Sequence, residues 1–117
     1  MQIVSIVLSL LLIAEWVMAP INLWTGRTMP LFERFTGHSP AVARRVFAPV
    51  KALTALLLAI GLFGRPVSVA GAVLSTAICG YYLLRLAAPG RRDPSGLAAF
   101  ALFGACSAAL LIVQLAR

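Results

Sequence analysis

The chain is short of charge, and of acid above all. Only 11% of its 117 residues are charged, and just three of them, Glu15, Glu33 and Asp93, are acidic. A water-soluble domain carries about 25% charged residues. A chain that is 62% hydrophobic therefore has too few polar side chains to cover a core. A soluble globular enzyme is excluded, and so is disorder, which needs low hydrophobicity. Histidine occurs once, as His38 in a loop, so haem ligation by paired histidines from helices has nothing to use. The two cysteines, Cys79 and Cys106, form no Cys-x-x-Cys, so thiol–disulfide exchange lacks its motif, and both read as small apolar packing residues. Metal-ligand spacing, a glycine-rich phosphate loop and a hydrolase elbow are missing too. The expectation is a protein with no metal and no other cofactor. Internal repeats and low-complexity tracts are also absent.

What the chain has in quantity is long apolar runs. Segments at 3–24, 46–63, 67–86 and 97–115 each come near the roughly 20 residues that cross a bilayer as a helix. The expected fold is all-α, an integral membrane bundle of four transmembrane helices forming one domain, with the lipid bilayer as its surroundings. A cleaved signal peptide needs a basic stretch before its apolar core. Here only Gln2 and the amino terminus precede the first run, and Glu15 and Trp16 interrupt it, so it reads as a retained helix.

The net charge of +7 would suit nucleic acid if the basic residues lined one face of a soluble helix. They lie between the apolar runs instead, so no nucleic-acid partner is expected. The first loop holds Arg27, Arg34, Arg44 and Arg45. The third connection holds Arg91 and Arg92, with Arg85 just inside the preceding helix, while Arg65 and Arg117 fall on the other side. Loops rich in Lys and Arg stay in the cytoplasm. Loops one and three are expected inside and both termini outside, in a plasma (inner) membrane.

Gly26, Pro30, Gly37 and Pro40 punctuate the first loop. Its MPLFERF stretch, residues 29–35, mixes Leu31, Phe32 and Phe35 with Glu33 and Arg34. It reads either as an amphipathic turn at the membrane surface or as a linker packed on the helices. The short Gly64-Arg65-Pro66 connection makes the second and third helices antiparallel neighbours, and Asp93 or Ser95 can cap the fourth. Trp24, Tyr81 and Tyr82 are placed as interfacial aromatics. Small residues recur four apart at Ala55/Ala59, Gly71/Ser75, Ala101/Ala105 and Gly104/Ala108. Such pairs let helices approach closely, inside the bundle or on a face for a second copy or for a membrane or cytoplasmic protein partner.

An ionisable residue within an apolar helix is costly and marks a candidate site. Glu15 is the first, and Ala19 and Asn22 share its helical face. Lys51 is the second. Counted from the loop-one end, both lie on the order of 8–13 Å deep at 1.5 Å per residue. They can pair to neutralise each other, Lys51 can snorkel to the headgroups, or Glu15 can handle protons or hold a ligand. Ser68, Gly71, Ser75, Cys79 and Tyr82 form a stripe on the third helix, with Arg85 a turn beyond Tyr82 and Thr54 facing from the second helix. The candidate intramembrane polar site is Glu15, Asn22, Lys51, Thr54, Ser75, Tyr82 and Arg85, and no catalytic residue is assigned. A purely structural hydrogen-bonded network is the other reading of the same residues.

The layout also carries a family likeness. LWTGRTMPLFERFTG, followed by VKALTALLLAIGLFGRPVSVAGAVLSTAICGYYLLRL, resembles the DoxX-like family of small four-helix bacterial membrane proteins over most of the chain. The family is named for a subunit of a membrane thiosulfate–quinone oxidoreductase. Its members often place a Lys near the end of the first helix and a Glu early in the second. Here Asn22 or Leu23 and Lys51 stand at those places, and Glu15 lies deeper. The resemblance implies an accessory or scaffold subunit of a membrane-associated system and no catalytic residue. A second likeness is to the small multidrug resistance family, whose first-helix Ala-Glu pair is similar to Ala14-Glu15. That likeness implies proton-coupled transport through Glu15, with Lys51 opposing a cation site. A third possibility is an intramembrane enzyme using Glu15 as general acid on an apolar substrate.

Overall fold

A computed structural model of the chain describes residues 2–27, 29–87 and 94–116. All regular structure among them is helical. The elements are α1 (Gln2–Thr25), α2 (Met29–Thr36), α3 (Pro40–Val42), a π-helical turn (Ala43–Phe47), α4 (Ala48–Gly61), α5 (Arg65–Leu86) and α6 (Pro94–Leu115). Arg91, Arg92, Asp93 and Arg117 lie outside the described residues, so the Asp93 cap and part of the charge asymmetry do as well.

Prolines that read as loop punctuation begin helices instead. Pro30, Pro40, Pro66 and Pro94 each stand in the first turn of a helix. There the missing N–H costs nothing, because first-turn N–H groups have no intrahelical partner. The helices consequently start earlier than the apolar runs suggest. Ser39 accepts a hydrogen bond from the Val42 N–H at 3.4 Å, so helical structure begins at Pro40, not near Val46. The second connection keeps its three residues but shifts to 62–64, since Arg65 and Pro66 belong to α5 and α4 ends at Gly61. Helix ends follow glycine as expected. Gly26 (φ 88°) and Gly37 (φ 74°) adopt the left-handed conformation that terminates α1 and α2.

Residues 40–61 form one helical rod through the π turn. Pro49 cannot donate to a carbonyl four residues back, and its ring would crowd that carbonyl. A wider turn just before it relieves both problems.

α1 packs against α4 and α6, and α5 packs against the same two helices. Glycine sets the closest approaches. A Cβ on Gly61 would lie 2.5 Å from the Ser68 Cα, one on Gly71 3.1 Å from the Leu58 backbone N, and one on Gly104 3.3 Å from the Cys79 Cβ. Small residues are thus spent on packing between α4, α5 and α6. Ala101 and Ala105, in contrast, are exposed.

The core is apolar, built on residues such as Leu12, Trp16, Leu58, Leu86 and Leu110, yet it also encloses polar side chains while large apolar ones face outward. The interior holds Ser5, Ser9, Thr36, Lys51, Thr54, Ser68, Ser75, Ser107 and Gln114, while Ile3, Val7, Leu11, Val17, Leu84, Leu102 and Ile112 point outward. Among the described residues no buried side-chain nitrogen or oxygen lacks a hydrogen-bond partner. Three helices, spanning Ile3–Thr25, Arg65–Leu86 and Pro94–Leu115, are long and apolar enough to cross a membrane. α4, Ala48–Gly61, is only 14 residues long and so stands apart from those three.

Candidate functional site

The polar interior divides into two separate arrangements. The first surrounds a pocket of about 400 Å³ bounded by α1, α2, α4, α5 and the start of α6. Glu15 and Asn22 enter it from α1, Lys51 from α4 and Tyr82 from α5, against walls that include Phe32, Phe35 and Phe100. Lys51 is 6% exposed, and its Nζ donates to the Tyr82 hydroxyl at 2.6 Å. An ammonium group carries three N–H bonds, of which Tyr82 takes one. Glu15 is half-buried and attracts Lys51 electrostatically across the pocket. No hydrogen bond or ion pair joins the two among the described residues. The lysine therefore neither pairs directly with Glu15 nor snorkels to the exterior. It is held inside by a phenol.

Tyr82 is 2% exposed, which corrects its assignment as an interfacial aromatic. Its ring stacks on Phe100 with centroids 4.2 Å apart and planes 4° from parallel, and this contact orients the hydroxyl toward Lys51. Trp24, in contrast, is 64% exposed at the end of α1, where an interfacial aromatic is expected.

The second arrangement is a directed chain of hydrogen bonds through the middle of the molecule. Trp16 Nε1 donates to Ser75 Oγ at 2.7 Å. Ser75 and Ser107 hydroxyls lie 2.6 Å apart, and Ser107 Oγ donates to the Phe103 carbonyl at 2.7 Å. Because Ser107 spends its proton on that carbonyl, Ser75 is the donor to Ser107. The chain runs from α1 through α5 to α6. A second cross-link joins Gln114 Nε2 to Ser68 Oγ at 2.8 Å. Ser75 thus belongs to the structural network and not to the pocket. Thr54 is also outside the pocket, because its hydroxyl folds back on its own helix and donates to the Val50 carbonyl at 2.9 Å.

Arg85 takes a third role. Its Nε donates to the Thr36 carbonyl at 3.1 Å, and its terminal guanidinium nitrogen donates to the same oxygen. That carbonyl ends α2, where the helix dipole places partial negative charge. The arginine fastens α2 to α5, and α2 lays Met29, Phe32 and Phe35 inward while Pro30, Glu33 and Arg34 stay exposed. The MPLFERF stretch is therefore an amphipathic helix docked on the bundle and serves as one wall of the pocket. Phe32 meets Phe47 edge-on at 4.8 Å. His38 hydrogen-bonds the Tyr81 hydroxyl with its ring 11° from parallel to the tyrosine. Charge-assisted hydrogen bonds contribute about 1.5–3 kcal/mol each. Arg85→Gln is accordingly expected to speed backbone amide exchange over residues 29–36 by at least about tenfold, with α6 unaffected. Unchanged exchange in α2 would show that its aromatic face alone holds it.

Of the seven candidate residues, Glu15, Asn22, Lys51 and Tyr82 come together. Thr54, Ser75 and Arg85 do not, because a shared helical stripe does not fix which neighbour each side chain meets. Sequence reasoning missed the aromatic walls, Phe32, Phe35 and Phe100, and the central roles of Trp16 and Ser107. One signal was available for Trp16: it sits in the middle of an apolar run, and its indole N–H needs an acceptor when buried. Cys79 and Cys106 are both free, with Cys79 buried, and no group of three or more His, Cys, Asp or Glu among the described residues could hold a metal ion.

Comparison with family models, with curated proteins and with solved structures gives no match. The functional reading therefore rests on the pocket itself.

Proposed function

We propose that this chain is a multi-pass membrane protein that holds a small amphipathic ligand in the Glu15–Lys51–Tyr82 pocket, as an accessory or scaffold subunit of a membrane-associated system. The single observation that carries this reading is the pocket. It sets a carboxylate, a carboxamide, an ammonium group and a phenol against phenylalanine walls, within an otherwise apolar set of helices. A buried lysine is costly, and a ligand that accepts from it while donating to Glu15 would offset that cost. The ligand class is a molecule with a polar head that both donates and accepts, on an apolar body. Residues 40–61 supply the fourth span as one continuous rod, and its Lys51 faces the pocket and not the lipid.

Topology follows from the basic residues. Arg27, Arg34, Arg44, Arg45 and Arg85 gather at the end that carries α2, with Arg65 at the other. That end is the cytoplasmic one under the rule that basic loops stay inside, and both termini face outward. The DoxX-like layout agrees with an accessory subunit of a redox system in a bacterial inner membrane. The Glu15-dependent exchanger is the less favoured reading, since Lys51 shares the pocket and opposes a cation.

The test is mass spectrometry of small molecules extracted from the protein purified in nanodiscs. The wild-type chain is expected to carry a stoichiometric amphipathic species beyond the bulk lipids. Ala99→Trp fills the pocket from an exposed lining position and is expected to lose that species, as is Lys51→Met. A wild-type protein that carries nothing sinks the proposal. Proton-coupled efflux in proteoliposomes that Glu15→Gln abolishes would install the exchanger in its place.

A further inference from the structure

A larger cavity lies on the outside of the molecule, remote from the Tyr82 side of the bundle. It is a groove of about 690 Å³ between α1 and α4. The floor on the α4 side is Ala48, Ala52, Ala55 and Ala59, at spacings that keep them on one helical face. Their small side chains are why the groove exists. Ile13, Val17, Pro20 and Ile21 form the opposite wall.

Polar groups occur at one end only. Arg44 and Thr25 close the groove there, beside Trp24. Arg44 is exposed, and its terminal nitrogen lies 3.9 Å from where a Cβ on Gly26 would stand, so the guanidinium sits over the end of α1. Among the described residues it makes no hydrogen bond or ion pair. The π turn that accommodates Pro49 also carries Arg44, and places it at the mouth above Ala48 and Pro49.

The length of the groove matches a specific object. From Ile13 to Thr25 the α1 wall rises about 18 Å at 1.5 Å per residue. One leaflet of a bilayer hydrocarbon core is about 15 Å thick, half of roughly 30 Å. An apolar trough one leaflet deep, with a cation at its interfacial end and an exposed tryptophan beside it, has the form of a single lipid molecule.

We propose that this groove binds one anionic phospholipid of the leaflet facing the basic end, with an acyl chain along the alanine floor and the phosphate on Arg44. The proposal rests on the membrane-spanning reading above but not on the ligand of the Lys51 pocket. A guanidinium matches a phosphate oxygen pair in charge and in planar geometry. The alanine floor admits a chain where leucines would exclude it.

The experiment is native mass spectrometry of the protein released from nanodiscs containing equal phosphatidylglycerol and phosphatidylcholine. The wild type is expected to retain one phosphatidylglycerol in preference to phosphatidylcholine. Arg44→Gln is expected to lower that retention about fivefold, the effect of one basic residue on an anionic lipid. Ala52→Phe, from an exposed position in the floor, is expected to lower retention of both lipids. Arg65→Gln, at the opposite end of the molecule, is expected to change nothing. Equal retention of the two lipids, or wild-type retention by Arg44→Gln, overturns the site while leaving the membrane reading in place. A lipid-free dimer that Ala52→Phe disrupts also overturns it, by giving the groove to a second copy. Recovery of the wild-type chain in the soluble fraction of carbonate-washed cells overturns the membrane reading and the lipid site with it.

Discussion

Trp16→Ala is expected to lower the free energy of unfolding by about 3–5 kcal/mol, the range for truncating a fully buried large side chain. Trp16 is 1% exposed and reaches from α1 to α5, two helices that do not otherwise pack extensively on each other. Its removal opens a cavity where the four rods converge. It also takes away the donor at the head of the Trp16–Ser75–Ser107 chain. A second variant separates the two effects. Trp16→Phe keeps most of the volume but removes the indole N–H. Ser75 retains its own bond to Ser107, so the loss expected is the net value of one hydrogen bond, about 0.5–1.5 kcal/mol. Denaturant unfolding in detergent micelles, followed by circular dichroism, measures both. A loss under about 1 kcal/mol for the alanine variant would show that the centre collapses around the gap and that the chain of hydroxyls is incidental.

The second large effect is expected at Gly61. A methyl group there would stand 2.5 Å from the Cα and 2.7 Å from the N of Ser68. These are backbone atoms of the first turns of α5, and no side-chain rotation removes the overlap. Gly61→Ala must push α5 away from α4 where the connection between them is only three residues long. Overpacking a core typically costs about 1–3 kcal/mol, occasionally more, and this position belongs at or above the top of that range. Gly80→Ala is the matched control. It adds the same methyl group to α5 with no atom within 4 Å to meet it, and glycine is itself unfavourable in a helix by about 1 kcal/mol. The Gly80 variant is expected to match or exceed wild-type stability. Equal behaviour of the two variants would show that the α4–α5 corner is free to open.

These variants also mark where sequence reasoning reaches its limit. The apolar runs locate the helices well in their interiors and poorly at their starts, because proline reads as a break along the chain yet opens a helix in the fold. Pro40, Pro66 and Pro94 stand in first turns, where the φ fixed by a proline ring suits a helix and the missing N–H has no partner to lose. Residues 29–35 were legible as amphipathic, from Phe32 and Phe35 alternating with Glu33 and Arg34. Whether that face meets headgroups or protein was open, and Arg85 settles it by binding the last carbonyl of α2.

The site was half legible. Glu15 and Lys51 stood out because charge inside an apolar run is expensive, and equal depth brought them to one pocket. What depth could not supply is rotation about the helix axis. Thr54 lies one turn beyond Lys51 yet bonds back to Val50. Ser75 lies two turns before Tyr82 on the same stripe, yet it meets Trp16 and Ser107 while Tyr82 meets Lys51.

Residue types and their order along the chain are enough to establish an apolar, helical protein with its few charges sorted between loop arginines and two interior exceptions. Those properties follow from single residues and their spacing, which the cost of exposing or burying each group decides locally. The tertiary structure alone decided that Lys51 is held by Tyr82 and not by Glu15, that the serines form a separate directed chain, and that alanines of α4 leave a groove ending at Arg44. Partner choice depends on helix rotation and on which small residue faces which backbone, and those are set by the packing of distant segments against one another.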